Sequence, residues 1–146
     1  MLPCAAGDLG FIARIAHEAF DEYTPRAVSH TLEIVQRAEV HVAWMGERRV
    51  GFFAAGPGAH GVSVLQAIAV VERERGRGVG RELMLAFERL ARERGLVRLE
   101  LCTADSNLAA LDLFKRRGFR LMRRHPRFYE RGQAACVLVK DLPPDP

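Results

Sequence analysis

Between Val70 and Met84 the chain reads VVERERGRGVGRELM, which places three glycines and three arginines in the seven positions 75–81. Glycine and positive charge occur together there, where a helix-like run is about to start. A helix start carries backbone N–H groups that have no partner inside the helix, and its dipole is positive at that end. Gly76, Gly78 and Gly80 put no side chain in front of those groups. Arg75, Arg77 and Arg81 add cationic side chains beside them. The chemistry this pattern serves is the binding of an anion, in the first place a phosphate. A tight turn that needs glycine for its own conformation would account for the same letters.

The known phosphate loops do not fit. A P-loop ends in GK[ST], and no such triplet exists here. A dinucleotide fold wants GxGxxG after an early strand, whereas GRGVGRE gives GxGxG late in the chain. Other chemistry-bearing residues are scattered. Cys4, Cys102 and Cys136 are odd in number, far apart and without a CxxC pair, so neither a zinc site nor a disulfide framework is expected. No metal is therefore predicted, and a reducing, cytoplasmic setting is the simplest expectation. His60 and His125 are of the type that titrates near neutral pH. The stretch RRHPRF, residues 123–128, sets an aromatic among arginines, a pattern that stacks on nucleic-acid bases. A solvated basic strand end explains it equally. The net charge of +4 and a pI of about 9.4 favour an acidic partner: a nucleotide, a nucleic acid or an acidic protein.

The elements that must position these residues are legible in outline. At 146 residues, 49% hydrophobic and 27% charged, the chain has the size and composition of one globular domain. We expect that domain over 1–142, with a frayed proline-rich tail at 143–146. The longest apolar run, 62–71, is interrupted by Gln66 and is too short to span a bilayer, so no membrane association is expected. No basic region followed by an apolar stretch marks a secretory signal at the N-terminus. DLGFIARIAHEAF reads as a helix capped by Asp8, and TPRAVSH opens a second with Thr24 as cap and Pro25 in its first turn. VHVAWM and RVGFFAA form a hairpin about Gly46. Residues 62–70 follow as a strand whose continuous apolar character implies cover on both faces. Val79, Leu83, Phe87, Leu90 and Ala91 make the stripe of the clearest helix, which Gly95 ends. VRLELCT is a strand, DSN opens a helix closed by Gly118, and FRLMRR and AACVLVK are the last strands. The order ααβββαβαββ is a mixed α/β (α+β) pattern, a sheet flanked by helices.

Two segments then combine. Residues 75–80 fit R-x-x-G-x-G after the strand AIAV. Downstream, Asn107, Ala110, Leu113, Phe114, Gly118 and Phe119 fit N-x-x-A-x-x-L-[YF]-x-x-x-G-F. With this spacing, element order and length, the sequence resembles the GNAT superfamily of N-acetyltransferases over nearly its whole length. The resemblance implies the GNAT acyl-CoA N-acyltransferase fold, with a central, mostly antiparallel mixed sheet. It implies an acetyl-CoA cosubstrate and transfer of its acetyl group to a primary amine of a small molecule or protein. Backbone groups of Ile68, Ala69 and Val70 would pair with the pantetheine arm. The turn and helix start formed by Gly76, Arg77, Gly78, Val79, Gly80 and Arg81 would hold the pyrophosphate, with Arg75 at the motif's first position. Asn107 and Phe114 would lie along the cofactor near the thioester, although Asn107 also suits a plain helix start. Relatives commonly dimerise, so the resemblance admits a homodimer.

The catalytic groups are less determined. Many family members use a tyrosine as proton donor where this chain has Phe114, which has no proton to give. Tyr129 is a substitute, or an aromatic wall for substrate. Glu100 is a candidate base because some relatives carry a glutamate in this strand, but an ungapped alignment from Asn107 puts Cys102 there. Cys102 reads as a buried structural thiol, the alternative being an acetyl-cysteine nucleophile of a ping-pong mechanism. Glu22, in the loop between the first two helices, faces the region where relatives hold the acceptor. Two other functions stay open: a non-catalytic CoA-binding module and an acetyltransferase directed at tRNA or RNA.

Overall fold

The computed structural model describes residues 1–143. Of the expected proline-rich tail, 144–146 lie outside the described residues. The elements are β1 (Leu2–Pro3), α1 (Leu9–Phe20), α2 (Ala27–Arg37), β2 (Glu39–Met45), β3 (Arg48–Pro57), β4 (Val62–Val70), α3 (Val79–Glu93), β5 (Arg98–Ala104), α4 (Leu108–Arg116), β6 (Arg120–His125) and β7 (Ala135–Asp141). The order read from the sequence holds, with one addition. The short β1 pairs Leu2 with Val42 and extends the sheet by an edge strand too brief to carry a periodicity.

The seven strands lie in the order β1-β2-β3-β4-β5-β7-β6. All neighbours are antiparallel except β4 and β5, which run parallel. The helices cover both faces. On one, Leu83 and Phe87 of α3 and Phe114 of α4 pack with Phe53, Leu99, Leu101 and Leu138. On the other, Phe11, Ile12 and Ile15 of α1 lie over Val42, Phe52 and Ala54. Each such side chain contributes about 1.5–3 kcal/mol by leaving water.

Three expectations need correction. Strand β4 is not covered evenly on both faces: its burial alternates, and Gln66 is exposed. Continuous burial belongs instead to β3, over residues 50–55, and to β7, over 135–139. The cause is a bulge: Ala54 and Ala55 of β3 face Ala67 and Leu65 of β4, which leaves Gln66 as an extra residue. Thr24 does not cap α2, which begins three residues later at Ala27. Its Oγ1 instead accepts the Arg26 N–H at 3.1 Å, closing a turn ahead of the helix. Asp8 stands before α1 but does not cap it. Its carboxylate turns back to accept the Ala5 N–H at 2.8 Å and the Arg49 Nε at 2.6 Å. For a buried carboxylate, an arginine from β3 is the stronger partner.

Candidate functional site

Among the described residues one pair of neighbouring strands is parallel, and the sheet opens there. Strands β4 and β5 pair from Val62 with Arg98 to Leu65 with Leu101, and the pairing then stops. The bulge at Gln66 falls at that point and turns the rest of β4 away. Beyond it, residues 66–70 of β4 and 102–104 of β5 diverge, and β4, still paired with β3 on its other side, presents an edge toward β5 with no strand beside it. A cleft of about 360 Å³ occupies the gap. Leu65 to Ile68 form one wall and Leu101 to Ala104 the other, with Asn107, Ala110 and Phe114 of the α4 region at one side. Residues from α1 and α2, and Phe128, Tyr129 and Glu130 from the β6–β7 connection, close the opposite side.

Directly after β4 the chain enters the glycine turn. Gly76 has φ +78° and Gly78 φ +85°, the left-handed region that side chains resist. A Cβ at either would meet no protein atom within 4 Å, so the space before them is open. Gly80 is different: its Cβ would stand 3.2 Å from Leu113 of α4. Conformation therefore requires the first two glycines, and the packing of α3 against α4 requires the third. The first bond inside α3 is Glu82 N–H to the Gly78 carbonyl, so the N–H groups of Val79, Gly80 and Arg81 are free of the helix ladder. Arg75 Nε donates to the Val70 carbonyl at 3.3 Å, which ties the turn to the end of β4. Beneath it lies Glu74, only 3% exposed, with its carboxylate 3.2 Å from Arg48 and 3.5 Å from Arg77. Sequence reasoning passed over Glu74. The signal was an acid set between arginines, and burial is what gives it meaning.

The cleft side chains come from distant parts of the chain. Asn107 lines the cleft and also caps α4, its Oδ1 accepting the Ala110 N–H at 3.2 Å. Phe114 is buried at the cleft, its ring 6.1 Å from that of Phe119. Tyr129 lines it from the β6–β7 connection, its hydroxyl 4.0 Å from Cys102 Sγ. Burial first, then the neighbouring Cys102, pushes the Tyr129 hydroxyl well above the ordinary tyrosine value. Cys102, expected to be buried, is instead exposed at the cleft, where partial desolvation still raises its thiol. Both groups hold their protons at neutral pH, so Cys102 is a poor nucleophile and Tyr129 a retained proton.

Glu100 precedes Cys102 by two residues on the same face of β5, but it does not line the cleft. Its carboxylate lies 3.7 Å from Arg123 Nη2. Two of the three arginines of the 123–128 stretch are engaged within the chain, Arg123 with Glu100 and Arg124 with Asp105 at 2.8 Å. His125 accepts Arg123 Nε at 3.0 Å, and His60 sits in the β3–β4 turn away from the cleft. Residues not anticipated include Tyr23, whose ring lies 5.4 Å from that of Tyr129, and the pair Arg26–Glu130, which joins α2 to the β6–β7 connection. Those partners are 104 residues apart, and no local pattern announces them.

Residues 10–119 match the sequence profile of the Acetyltransferase (GNAT) family. The chain belongs to the GNAT family of acetyltransferases. An uncharacterised N-acetyltransferase of Bacillus subtilis, YvbK, is 28% identical over 89 residues, which is 61% of this chain and 57% of that protein. The match thus spans a little over half of that relative's length. Ard1 of Thermoplasma volcanium superposes with a TM-score of 0.84 at 25% identity, over 97% of this chain and 95% of its own. An acetyltransferase of Bacillus subtilis solved in complex with CoA superposes at 0.72 with 24% identity, over 79% and 84%. In this GNAT acetyltransferase no cluster of three His, Cys, Asp or Glu fit to hold a metal ion occurs among the described residues. None of its described helices is long and apolar enough to cross a membrane.

Proposed function

We propose that this chain moves an acetyl group from acetyl-CoA to a primary amine. The observation that carries the reading is the parting of β4 from β5 immediately before a turn with two left-handed glycines. The residues fit such a cosubstrate. The edge of β4 at Ile68, Ala69 and Val70 that faces away from β3, where β5 no longer pairs, suits the amides of a pantetheine arm, in the manner of an added strand. The open space at Gly76 and Gly78, with the free N–H groups of Val79, Gly80 and Arg81, suits a diphosphate. Arg75, Arg77 and Arg81 bring positive charge to the same turn. Asn107 and Phe114 flank the end where the thioester would lie.

Acetyl-CoA, when bound, supplies an acyl carbon on a thiol leaving group, so a new C–N bond replaces a C–S bond. A backbone N–H near Val70 polarises the carbonyl. Phe114 gives no proton, and Tyr129, which keeps its own, is the donor to the departing sulfur. A thiol of ordinary pKa, about 8.5, also leaves unassisted, so the donor accelerates rather than enables. The amine must arrive neutral, against an ordinary pKa of about 10.4. Glu100 takes its proton only through water, because Glu100 stands outside the cleft lining.

Calorimetry with acetyl-CoA, followed by thiol release over a panel of amines, tests this. The expected result is binding, and thiol release that requires an amine. No heat with acetyl-CoA or CoA overturns the reading. Binding without amine-dependent release overturns the transfer and leaves a CoA-binding module.

A further inference from the structure

We infer that the acceptor carries its primary amine on an uncharged aromatic or branched apolar body, and is not a polycation. This rests on the acetyl transfer proposed above and names the acceptor class of that site. The first observation is the wall the acceptor must meet. Phe20, Tyr23, Ile34, Phe128 and Tyr129 line that side of the cleft. Phe128 is 56% exposed at its mouth, held edge-on to Tyr129 with ring centres 5.1 Å apart. Exposed aromatic surface beside a cleft is surface an apolar guest would cover.

The second observation is the charge balance. Glu130 is the one carboxylate in the lining, and Arg26 holds it through Nε at 2.8 Å. Around the mouth, Asp21 meets Arg131 at 3.7 Å, and Asp105 and Glu100 meet Arg124 and Arg123. Glu22 is not among the residues that line the cleft. The other charged or titratable side chains in the lining are Arg26, His30, Tyr23, Cys102 and Tyr129, none of them a carboxylate. A polyamine or a lysine-rich segment would lose its water here and meet, among the described lining residues, only Glu130, already held by Arg26. An amine on an apolar body faces no such loss. The same desolvation favours its neutral form, which the reaction needs where no carboxylate base enters the cleft.

The test measures thiol release, after acetyl-CoA binding is established, with phenethylamine, a Phe-Ala-Ala amide, spermidine and Nα-acetyl-lysine amide. Either of the first two is expected to exceed both the polycation spermidine and the lysine amide, whose one amine sits on a linear chain, in kcat/KM by about tenfold or more, the discrimination a filled apolar pocket gives. Phenethylamine ahead assigns a free amine, and the peptide ahead assigns a chain terminus. Arg26→Ala leaves Glu130 unpaired and is expected to raise kcat/KM for spermidine severalfold. Phe128→Ala lowers it for the apolar acceptor through KM. If acetyl-CoA binds and spermidine or the lysine amide is turned over as well as the apolar amines, or no amine is turned over, the inference fails while the cofactor site stands. If acetyl-CoA does not bind, the reading of the site itself fails.

Discussion

The two sides of the cleft are built by opposite means. The β4–α3 side is backbone: a strand that loses its neighbour at Leu65, then a turn held open by Gly76 and Gly78, all within residues 65–81. The acceptor side is made of side chains delivered by α1, α2 and the β6–β7 connection. Its members meet over long separations, as Arg26 does with Glu130 and Tyr23 with Tyr129. A backbone site depends on a local conformation, so few residue types satisfy it. A side-chain site depends on which loops the fold brings together, and it can change its letters while the scaffold stays. The first kind serves a ligand common to a family, and the second a ligand particular to one member.

The sharpest test of the division is Tyr129→Phe, which keeps the ring and removes the proton. On the side-chain account, kcat falls about a hundredfold, the ordinary contribution of a positioned acid, while acetyl-CoA affinity is unchanged. The pH profile adds a sign. Because burial raises the Tyr129 hydroxyl above its ordinary value of about 10, the donor stays protonated as pH rises. Wild-type kcat then shows no alkaline fall below about pH 10, a limit set by that ordinary value. A loss of acetyl-CoA affinity in the variant, measured by calorimetry, would put Tyr129 on the cofactor side and break the comparison.

Gly78→Val tests the opposite side. At φ +85° a β-branched residue is strained by about 1–3 kcal/mol, and the turn must rearrange to accommodate it. Acetyl-CoA affinity should fall about tenfold to a hundredfold if that strain is relieved by losing the bound geometry. The KM for the amine should hold. Gly80→Val provides the contrast: φ is ordinary there, and the added atoms press on Leu113. Its effect should register in thermal stability as well as in binding. Equal behaviour of the two variants would mean that conformation and packing are not separate demands in this turn.

The same division explains what the sequence made legible. The stripe of α3 and the glycines at 76, 78, 95 and 118 are local signals, and the elements they mark lie where they were expected. The bulge at Gln66 was present as one polar letter in an apolar run, but only the register with β3 turns that letter into a bend and the bend into a cleft. Asp8 and Thr24 misled for a related reason. Both are good caps by type, and both found a better partner, Asp8 through tertiary contact with Arg49 and Thr24 in the turn before α2. Glu100 and Cys102 could not be ranked from spacing alone. Their separation came from which of the two reaches the gap beyond Leu101, a matter of where β4 and β5 part.

Asn107 stands at the seam between the two sides, and its two roles can be separated. It lines the cleft, and its Oδ1 caps α4 by accepting the Ala110 N–H. Asn107→Ala removes both functions and should cost about 1 kcal/mol of stability, the ordinary value of a lost cap. Asn107→Asp keeps an acceptor oxygen at the helix start, where a negative charge is also favourable, and replaces the amide's N–H donors with a second oxygen. If the residue acts only as a cap, the aspartate variant melts like the wild type and binds acetyl-CoA equally well. If the amide N–H donors face the cofactor, stability is kept but acetyl-CoA affinity drops severalfold. A melting curve and a calorimetric titration on the same two proteins decide between these. A severalfold loss would also show that a side chain from α4 shares a ligand otherwise held by backbone, so that the boundary between the two modes of recognition runs through a single residue.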